Sequence, residues 1–491
     1  MERRLPATTA SGAESRTDGY VLVSRLFLKA LALVYLAAFL SLAGQITALA
    51  GSAGIFPLDE QLAAHAAAGW LERLLRYPSL FWFAAGDHAL QAAAWFGVGF
   101  AVMLLFGWFE RLSLVALFLL YLSLFHAGQL FMNFQWDYLL LEAGFLGIFL
   151  PGRAMLVIWL FRWLLFRLRL LSGVSKLVSG DAGWSGLTAL TTYFETQPLP
   201  HVGAWYAHQL PDWLLRFGTG ATLFVELVVP FFFFLPRRWR LTGAALTILW
   251  QLLIIATSNH NFFNLLTIAL CLFLLDDRAL AAMLPGALRR RWQERAAPAG
   301  ASALARGAAL IGALVIVPVS LLLAADMVSP RPLPPVLAGV VDVLRPLHIV
   351  NRYHVFPTVD TQRIELQIEG SADGVSWRPY RFRYKPGDPA VAPPFVVPHQ
   401  PRIDWLMWFV PKSPVFLPWF DRFLDRLLAG EPAVLAQLGE NPFPDGKPQA
   451  LRVRAYRYRF TDAATRAATG NWWVREPLGP FLGLPGRRER R

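Results

Sequence analysis

Residues 241–275 read LTGAALTILWQLLIIATSNHNFFNLLTIALCLFLL, a stretch without a single Asp, Glu, Lys or Arg. An apolar run longer than ~18 residues reads as a bilayer-spanning helix candidate. This one is long enough for two, 241–257 and 260–275, the second of them short. Comparable uncharged runs cover 30–58, 89–109, 112–135 and 307–325. The chain of 491 residues is 55% hydrophobic and 16% charged, against roughly 25% charged for an average soluble domain. A repeatedly membrane-crossing protein accounts for both the composition and its uneven placement.

The formal net charge of +13 could suggest nucleic acid, but basic nucleic-acid domains gather Lys and Arg on one face or stripe. Here much of the charge is Arg beside apolar runs: Arg237, Arg238 and Arg240 before one, and Arg289, Arg290, Arg291 and Arg295 between two others. That is the positive-inside arrangement, so the bilayer is the expected partner and nucleic acid is not. The single cysteine, Cys271, lies inside an apolar run. It leaves no internal disulfide or dithiol chemistry and reads as a small buried hydrophobe. Arg3, Arg4 and the Ala48-Leu49-Ala50 triplet imitate a signal peptide. Flank and apolar region are too long for one, which leaves an uncleaved first helix.

The runs suggest about nine spans, at 27–49, 89–108, 111–131, 137–151, 154–171, 217–236, 241–257, 260–275 and 306–326. The fourth, interrupted by Glu142, the fifth, loaded with Arg162, Arg167 and Arg169, and the short eighth are the weakest. The fourth and fifth also read as re-entrant or interfacial segments. With residues 1–26 as a cytoplasmic tail, alternation puts Arg237 to Arg240 and the basic loop 278–306 inside. The odd number puts everything after residue 330 outside. Within the membrane part, 27–329, two long connections then face outward, 50–88 and 172–216, the first with helical character around Leu71 to Leu75. Both hold too many aromatics to be disordered.

Residues 330–350 read as a stiff Pro-rich linker, and 351–491 as a soluble β-rich, sandwich-like domain with helical inserts. Ile364, Leu366 and Ile368 alternate with Glu365, Gln367 and Glu369, and Tyr380, Phe382 and Tyr384 with Arg381, Arg383 and Lys385. That is the period of half-buried strands. The turn 370–374 joins them, so paired antiparallel they would oppose acidic and basic outer faces. A further strand covers 451–460, followed by Thr461 as a helix N-cap and Gly470 as its C-cap. Amphipathic helices are expected near 404–409 and 418–428.

No Walker A, HExxH, GxSxG or CxxC motif occurs, and no metal or cofactor is called for. The polar groups at membrane depth are His126, Asn133, Asp137, Glu142, Glu226, His260 and Asn264. Each is either a functional group, for instance an acid/base pair of His126 with Glu142, or interhelical hydrogen-bond glue. Arg162, Arg167 and Arg169 either pair with those carboxylates or snorkel to headgroups. In the last third, Trp377, Tyr380, Phe395, Trp405, Trp408, Trp419, Trp472 and Trp473 form either a sticky client surface or an ordinary core.

Four stretches resemble the lipase maturation factor family: NFQWDYLLLEAGFLGIF at 133–149, the string from Arg169 to Trp213 containing YFETQPLP, residues 351–409 ending in QPRIDWLMWF, and YRYRFTDAATRAATGNWWVREPLG at 456–479. They touch every part of the chain. The resemblance implies a non-enzymatic membrane protein that helps secreted lipases fold and assemble, its C-terminal domain in the endoplasmic reticulum lumen of eukaryotes. The Ala-, Arg- and Pro-rich composition points to a bacterial member, in the inner membrane with that domain in the periplasm. Candidate functional positions within the matching strings are Asp137, Glu142, Lys176, Asp181, Trp184, Tyr193, Glu195, Gln197, Pro198, Arg402, Asp404, Trp405, Trp472 and Trp473. The rival reading is a membrane enzyme acting on lipid or exported protein through His126, Glu142, Glu226 or Lys176. The client and the oligomeric state stay open.

Overall fold

Lipid offers a backbone no hydrogen-bond partners, so the apolar runs satisfy their own amides as helices. The computed structural model describes residues 18–152, 154–283, 286, 301–330 and 332–481. Arg3, Arg4, Arg289, Arg290, Arg291 and Arg295, used above for orientation, lie outside the described residues. The bundle helices are α1 (Val21–Ala43), α2 (Asp87–Phe106), α3 (Glu110–Gly128), α4 (Gln135–Gly147), α5 (Met155–Val178), α6 (Asp212–Leu227), α7 (Arg237–Thr257), α8 (Phe263–Leu270) and α9 (Ala303–Val328).

By length and composition, six helices among the described residues can cross a membrane: Val21–Ala43, Asp87–Phe106, Glu110–Met132, Asp212–Phe234, Arg237–Thr257 and Ala303–Val328. The count of nine is corrected to these six. The remaining three are helical but fall short for physical reasons. α4 has 13 residues and buries Asp137 and Glu142, α5 buries three arginines and Lys176, and α8 has only 8 residues. α5 also continues to Val178, so the connection expected from 172 begins later and holds short helices, among them Ala189–Thr196 and Val202–His208.

Contacts sort the helix termini into two ends. Asp277 accepts from the Val21 and Val23 amides at 2.7 and 2.9 Å, and Asp276 pairs with Arg237 at 2.7 Å and Arg240 at 3.1 Å. The starts of α1 and α7 therefore share one end with the residues after α8. At the other end Gln45, Phe131 and Asn261 bond to residues 400–402. The beginning of α1 and the C-terminal region thus occupy opposite ends of the bundle.

Residues 335–344, expected as linker, form a helix, α10 (Pro335–Leu344), with Pro335 at its first position, where a missing amide does no harm. The C-terminal region holds one four-stranded antiparallel sheet, ordered β2-β1-β3-β4, from β1 (Arg363–Ser371), β2 (Arg378–Pro379), β3 (Ala450–Phe460) and β4 (Trp473–Pro480). The expected sandwich is corrected to this single sheet. Its apolar face packs on helices instead of a second sheet: Leu366, Ile368, Leu451 and Ala455 share a cluster with residues of α11 (Arg402–Met407) and with Trp419, Phe420 and Phe423 of α12 (Leu417–Ala429).

The strand expected at 380–385 does not extend, because the Tyr384 and Lys385 amides donate to the Asp404 carboxylate at 2.8 and 2.9 Å rather than to a neighbouring strand. β1 pairs along its length with β3 instead. The acid-to-base match survives with a different partner, Arg452 reaching Glu369 at 2.5 Å. Asp462 rather than Thr461 caps α13 (Ala463–Thr469), and Gly470 ends it at φ 74°. There the absence of a Cβ removes the left-handed penalty.

The apolar core does not stop at the boundary between the two parts. Val341, Ile349, Val350, Tyr353 and Trp405 belong to the bundle cluster, while Ala48, Leu49, Ile55 and Phe131 belong to the C-terminal one.

Candidate functional site

Several polar residues singled out from sequence, among them Asp137, Glu142, Lys176 and Arg402, meet at the seam between bundle and C-terminal region. Asp137 stands in the first turn of α4 and Arg402 opens α11. Their side chains, 0% and 1% exposed, meet as a two-pronged pair at 2.7 and 2.8 Å. The Tyr121 hydroxyl donates to the same carboxylate at 2.6 Å. Arg402 also donates to the Phe131 carbonyl at 2.8 Å, and its own amide to Gln45 at 2.8 Å. The planar fork of Arg suits this geometry, where the ammonium of Lys supplies only a point charge.

Farther along α4, Glu142 takes a charge-assisted hydrogen bond from Arg167. Its other oxygen accepts from the Asn351 amide and side chain, both at 3.1 Å, and from the Tyr353 hydroxyl at 2.9 Å. Four donor groups thus meet this carboxylate, three of them from Asn351 and Tyr353 beyond residue 350. His126 lies elsewhere and meets the Pro346 carbonyl at 2.9 Å, so the His126 with Glu142 pair does not form. Arg167 pairs rather than snorkels, and so does Arg169, 3.5 Å from Glu226. Arg162 donates to the Phe273 carbonyl at 2.9 Å and to the Tyr20 hydroxyl.

A third cluster repeats the pattern. Lys176 pairs with Glu226 at 2.7 Å and donates to the Val355 carbonyl at 2.7 Å, and the Trp184 ring lies 4.9 Å from its ammonium. Asp181 caps the turn at Trp184, receiving the Gly183 and Trp184 amides at 2.9 and 3.1 Å, while its second oxygen accepts from the Val359 amide at 3.1 Å.

The YFETQPLP segment docks mainly through its backbone. The Arg363 guanidinium donates to the Glu195, Gln197 and Pro198 carbonyls at 3.1, 2.5 and 2.9 Å, and Trp408 donates to the Thr196 carbonyl at 2.6 Å. The Glu195 carboxylate accepts the Phe460 amide at 2.6 Å, Gln197 donates to the Thr257 carbonyl at 3.0 Å, and the Tyr193 hydroxyl lies 3.0 Å from His260. Beneath Arg363, Glu365 is sandwiched between that guanidinium at 2.5 Å and Lys385 at 2.7 Å. Burial alone would raise the Glu365 carboxyl; the two cations hold it below its ordinary value. Burial raises the Asp404 carboxyl, against the pull of its two amide donors.

Of the two readings of the aromatics on this domain, core packing holds for most of them. Tyr380, Trp405, Trp419, Trp472 and Trp473 are buried. Trp473 stacks on Phe460 with centroids 4.2 Å apart, and Trp472 meets Trp205 edge-on at 5.6 Å. Trp377 carries Arg452 over its ring at 4.3 Å. Of the group, Phe395 is well exposed. Just before it in the chain, Val391, Pro393 and Pro394 line a cleft of about 320 Å³ together with Tyr456 and Tyr458. A second cavity, between α6 and α7, holds Lys176 and Glu226 in its lining. Among the described residues no group of three or more His, Cys, Asp or Glu could hold a metal ion.

Arg363, Asn351, Tyr353, Gln45 and Tyr121 complete these networks and went unrecognised in the sequence. Asn351, Tyr353 and Arg363 all lie in the matching stretch 351–409. Tyr121 and Gln45 sit in apolar runs that nothing local distinguishes.

A helical membrane bundle fastened by buried charges to a C-terminal sheet-and-helix domain defines a multi-pass membrane protein whose two parts act as one body. Residues 22–282 match the lipase maturation factor transmembrane domain and residues 349–483 the lipase maturation factor C-terminal domain. The chain belongs to the lipase maturation factor family. It is 34% identical to lipase maturation factor 1 of Bos taurus over 98% of this chain and 91% of the relative. It is 33% identical to lipase maturation factor 1 of Homo sapiens over 96% and 89%, and 33% to lipase maturation factor 2 of Homo sapiens over 94% and 82%. No solved structure matches the chain.

Proposed function

We propose that this chain is a membrane-anchored, non-enzymatic maturation factor for exported proteins, with lipases as its clients. The observation that carries this reading is the correspondence with lipase maturation factor 1 over 98% of the chain, both parts included. The geometry supports it: the intramembrane acids are spent on holding the C-terminal domain, which leaves a rigid platform rather than a reaction centre. The cleft lined by Val391, Pro393 and Pro394, with the exposed Phe395 next along the chain, is the client surface. To test this, a secreted lipase is co-expressed with and without the protein, and lipase activity is read per amount of secreted lipase. The expected result is a several-fold gain, reduced by Val391→Glu with Phe395→Asp at unchanged membrane level. Equal specific activity with and without the protein would sink the idea.

The C-terminal domain faces the exported side, the periplasm in a bacterium. Support comes from Arg237, Arg238 and Arg240 at the end of the bundle opposite that domain. Cys271 is buried and is the chain's single cysteine, so a Cys271→Ala background accepts reporter cysteines. Val375→Cys, on an exposed turn, should react with a membrane-impermeant maleimide in cells with a permeable outer membrane, and Arg238→Cys only after lysis. The reverse pattern would invert the orientation.

A further inference from the structure

Between α6 and α7 lies a cavity of about 350 Å³, closed at one end by the short helix Ala189–Thr196 and by Val355 and Phe356. That volume is in the range of small-molecule sites. Its walls are Leu214, Phe217, Leu253 and Ile254. Phe217 and Leu253, 67% and 48% exposed, stand at its mouth on two helices long and apolar enough to cross a membrane. The opening therefore faces acyl chains.

The floor has the opposite character. Arg169 Nε, Trp184 Nε1, Gln251 Nε2 and Asn264 Nδ2 all belong to residues lining the cavity, all are buried, and none has an acceptor in the protein. Buried N–H groups are nearly always paired, so four orphans around one space call for an explanation. Three further lining atoms lack a hydrogen bond: Arg169 Nη2 and Glu226 Oε2, which take part in ion pairs at 3.5 and 2.7 Å, and the Ser258 hydroxyl, so that donors outnumber the one pure acceptor. Charge points the same way, since Arg169 and Lys176 share the single carboxylate of Glu226. An apolar channel open to lipid and ending in unpaired donors with one excess positive charge complements a molecule with a hydrocarbon tail and an acceptor-only, anionic head.

We propose that this cavity binds an acyl-chain amphiphile with an anionic headgroup, taken laterally from the bilayer, whose oxygens accept from Arg169, Gln251, Asn264 and Trp184. The site does not depend on the client reading, and its test measures binding alone. Its roof belongs to the segment that follows the seam. Phe356 holds φ 47°, a left-handed conformation rare for a bulky residue, with its ring against Tyr193 at 5.3 Å and His260 at 5.2 Å. A bound tail would rest against that ring, so occupancy should also stabilise the full chain by mass action.

The test uses the full-length protein purified in neutral detergent and two diazirine-bearing probes, a C16 fatty acid and a phosphatidylglycerol. Saturable crosslinking to α6 and α7 peptides is expected. It should be competed by unlabelled anionic amphiphile and at least tenfold less well by the methyl ester of the same chain. Labelling by the first probe or the second identifies a free acid or a phospholipid as the source. Ala221→Phe, which fills the cavity, should abolish labelling at an unchanged melting temperature. Gln251→Leu, which removes one donor without changing shape much, should weaken binding about three- to tenfold, the value of one hydrogen bond. Labelling of α6 and α7 no stronger than of the lipid-facing helix α9, or equal competition by ester and acid, would overturn the proposal. If Ala221→Phe fails to accumulate, unchanged affinity in Gln251→Leu would overturn it as well.

Discussion

Arg402→Ala is expected to destabilise the whole protein by about 3–5 kcal/mol, the effect of removing one partner from a buried ion pair. The loss comes less from the missing attraction than from what remains. Asp137 keeps the Tyr121 hydroxyl but no cation, in a setting where its carboxylate is 0% exposed. Arg402→Lys should recover only part, since an ammonium cannot bridge both oxygens. The double variant Asp137→Asn with Arg402→Met should recover most of the stability, because removing both charges removes the desolvation penalty too. Thermal unfolding in detergent and the level of protein in membranes read these outcomes. A single Arg402→Ala variant that melts with the wild type would show that the pair does not lock the seam.

Truncation after residue 330 should have a larger effect still. It strips Asn351 and Tyr353 from Glu142, Arg402 from Asp137 and the Val355 carbonyl from Lys176. It also bares Ala48, Leu49, Ile55 and Phe131, which pack in the C-terminal cluster. One broken buried pair at about 3–5 kcal/mol, with the lost hydrogen bonds to Glu142 and Lys176 at about 0.5–1.5 kcal/mol each, rivals the whole stability of a typical domain, about 5–15 kcal/mol. The truncated bundle is expected to be degraded, not to persist as a folded membrane domain. Residues 349–481 alone should aggregate, with Arg402 deprived of Asp137 and Arg363 of the Glu195, Gln197 and Pro198 carbonyls. Supplying both pieces as separate chains should restore accumulation of each. A truncated bundle that melts cooperatively at the wild-type temperature would refute this coupling. Deleting the domain is consequently a poor probe of function, because loss of client activity would follow from loss of the anchor.

What the sequence conveyed depended on whether the signal was local. Apolar runs at 241–257 and 307–325 announced their helices, and the alternation around Ile364 to Ile368 announced β1. Glu142 and the arginines of α5 also marked correctly where the span assignment was weakest. The pairings stayed hidden. Asp137 and Arg402 were both singled out, yet nothing within either string says that 265 positions separate a carboxylate from its guanidinium. The strand at 380–385 had the right period, but the Tyr384 and Lys385 amides are claimed by Asp404 of α11, a competition that alternation cannot register. The aromatic residues were equally ambiguous, since a Trp in a core and a Trp on a sticky surface are spelled alike.

The distance along the chain between Asp137 and Arg402 has a meaning in time. Synthesis proceeds at about 5–20 residues per second, so the 265 residues between them take about 13–53 s to appear. Throughout that interval Asp137 lacks its cation, while Glu142, already paired with Arg167, waits for Asn351 and Tyr353. The bundle is therefore completed only when the last third arrives. A ribosome that stalls before codon 402 leaves behind a chain marked as unfinished by its own exposed charge, ready for removal by membrane quality control.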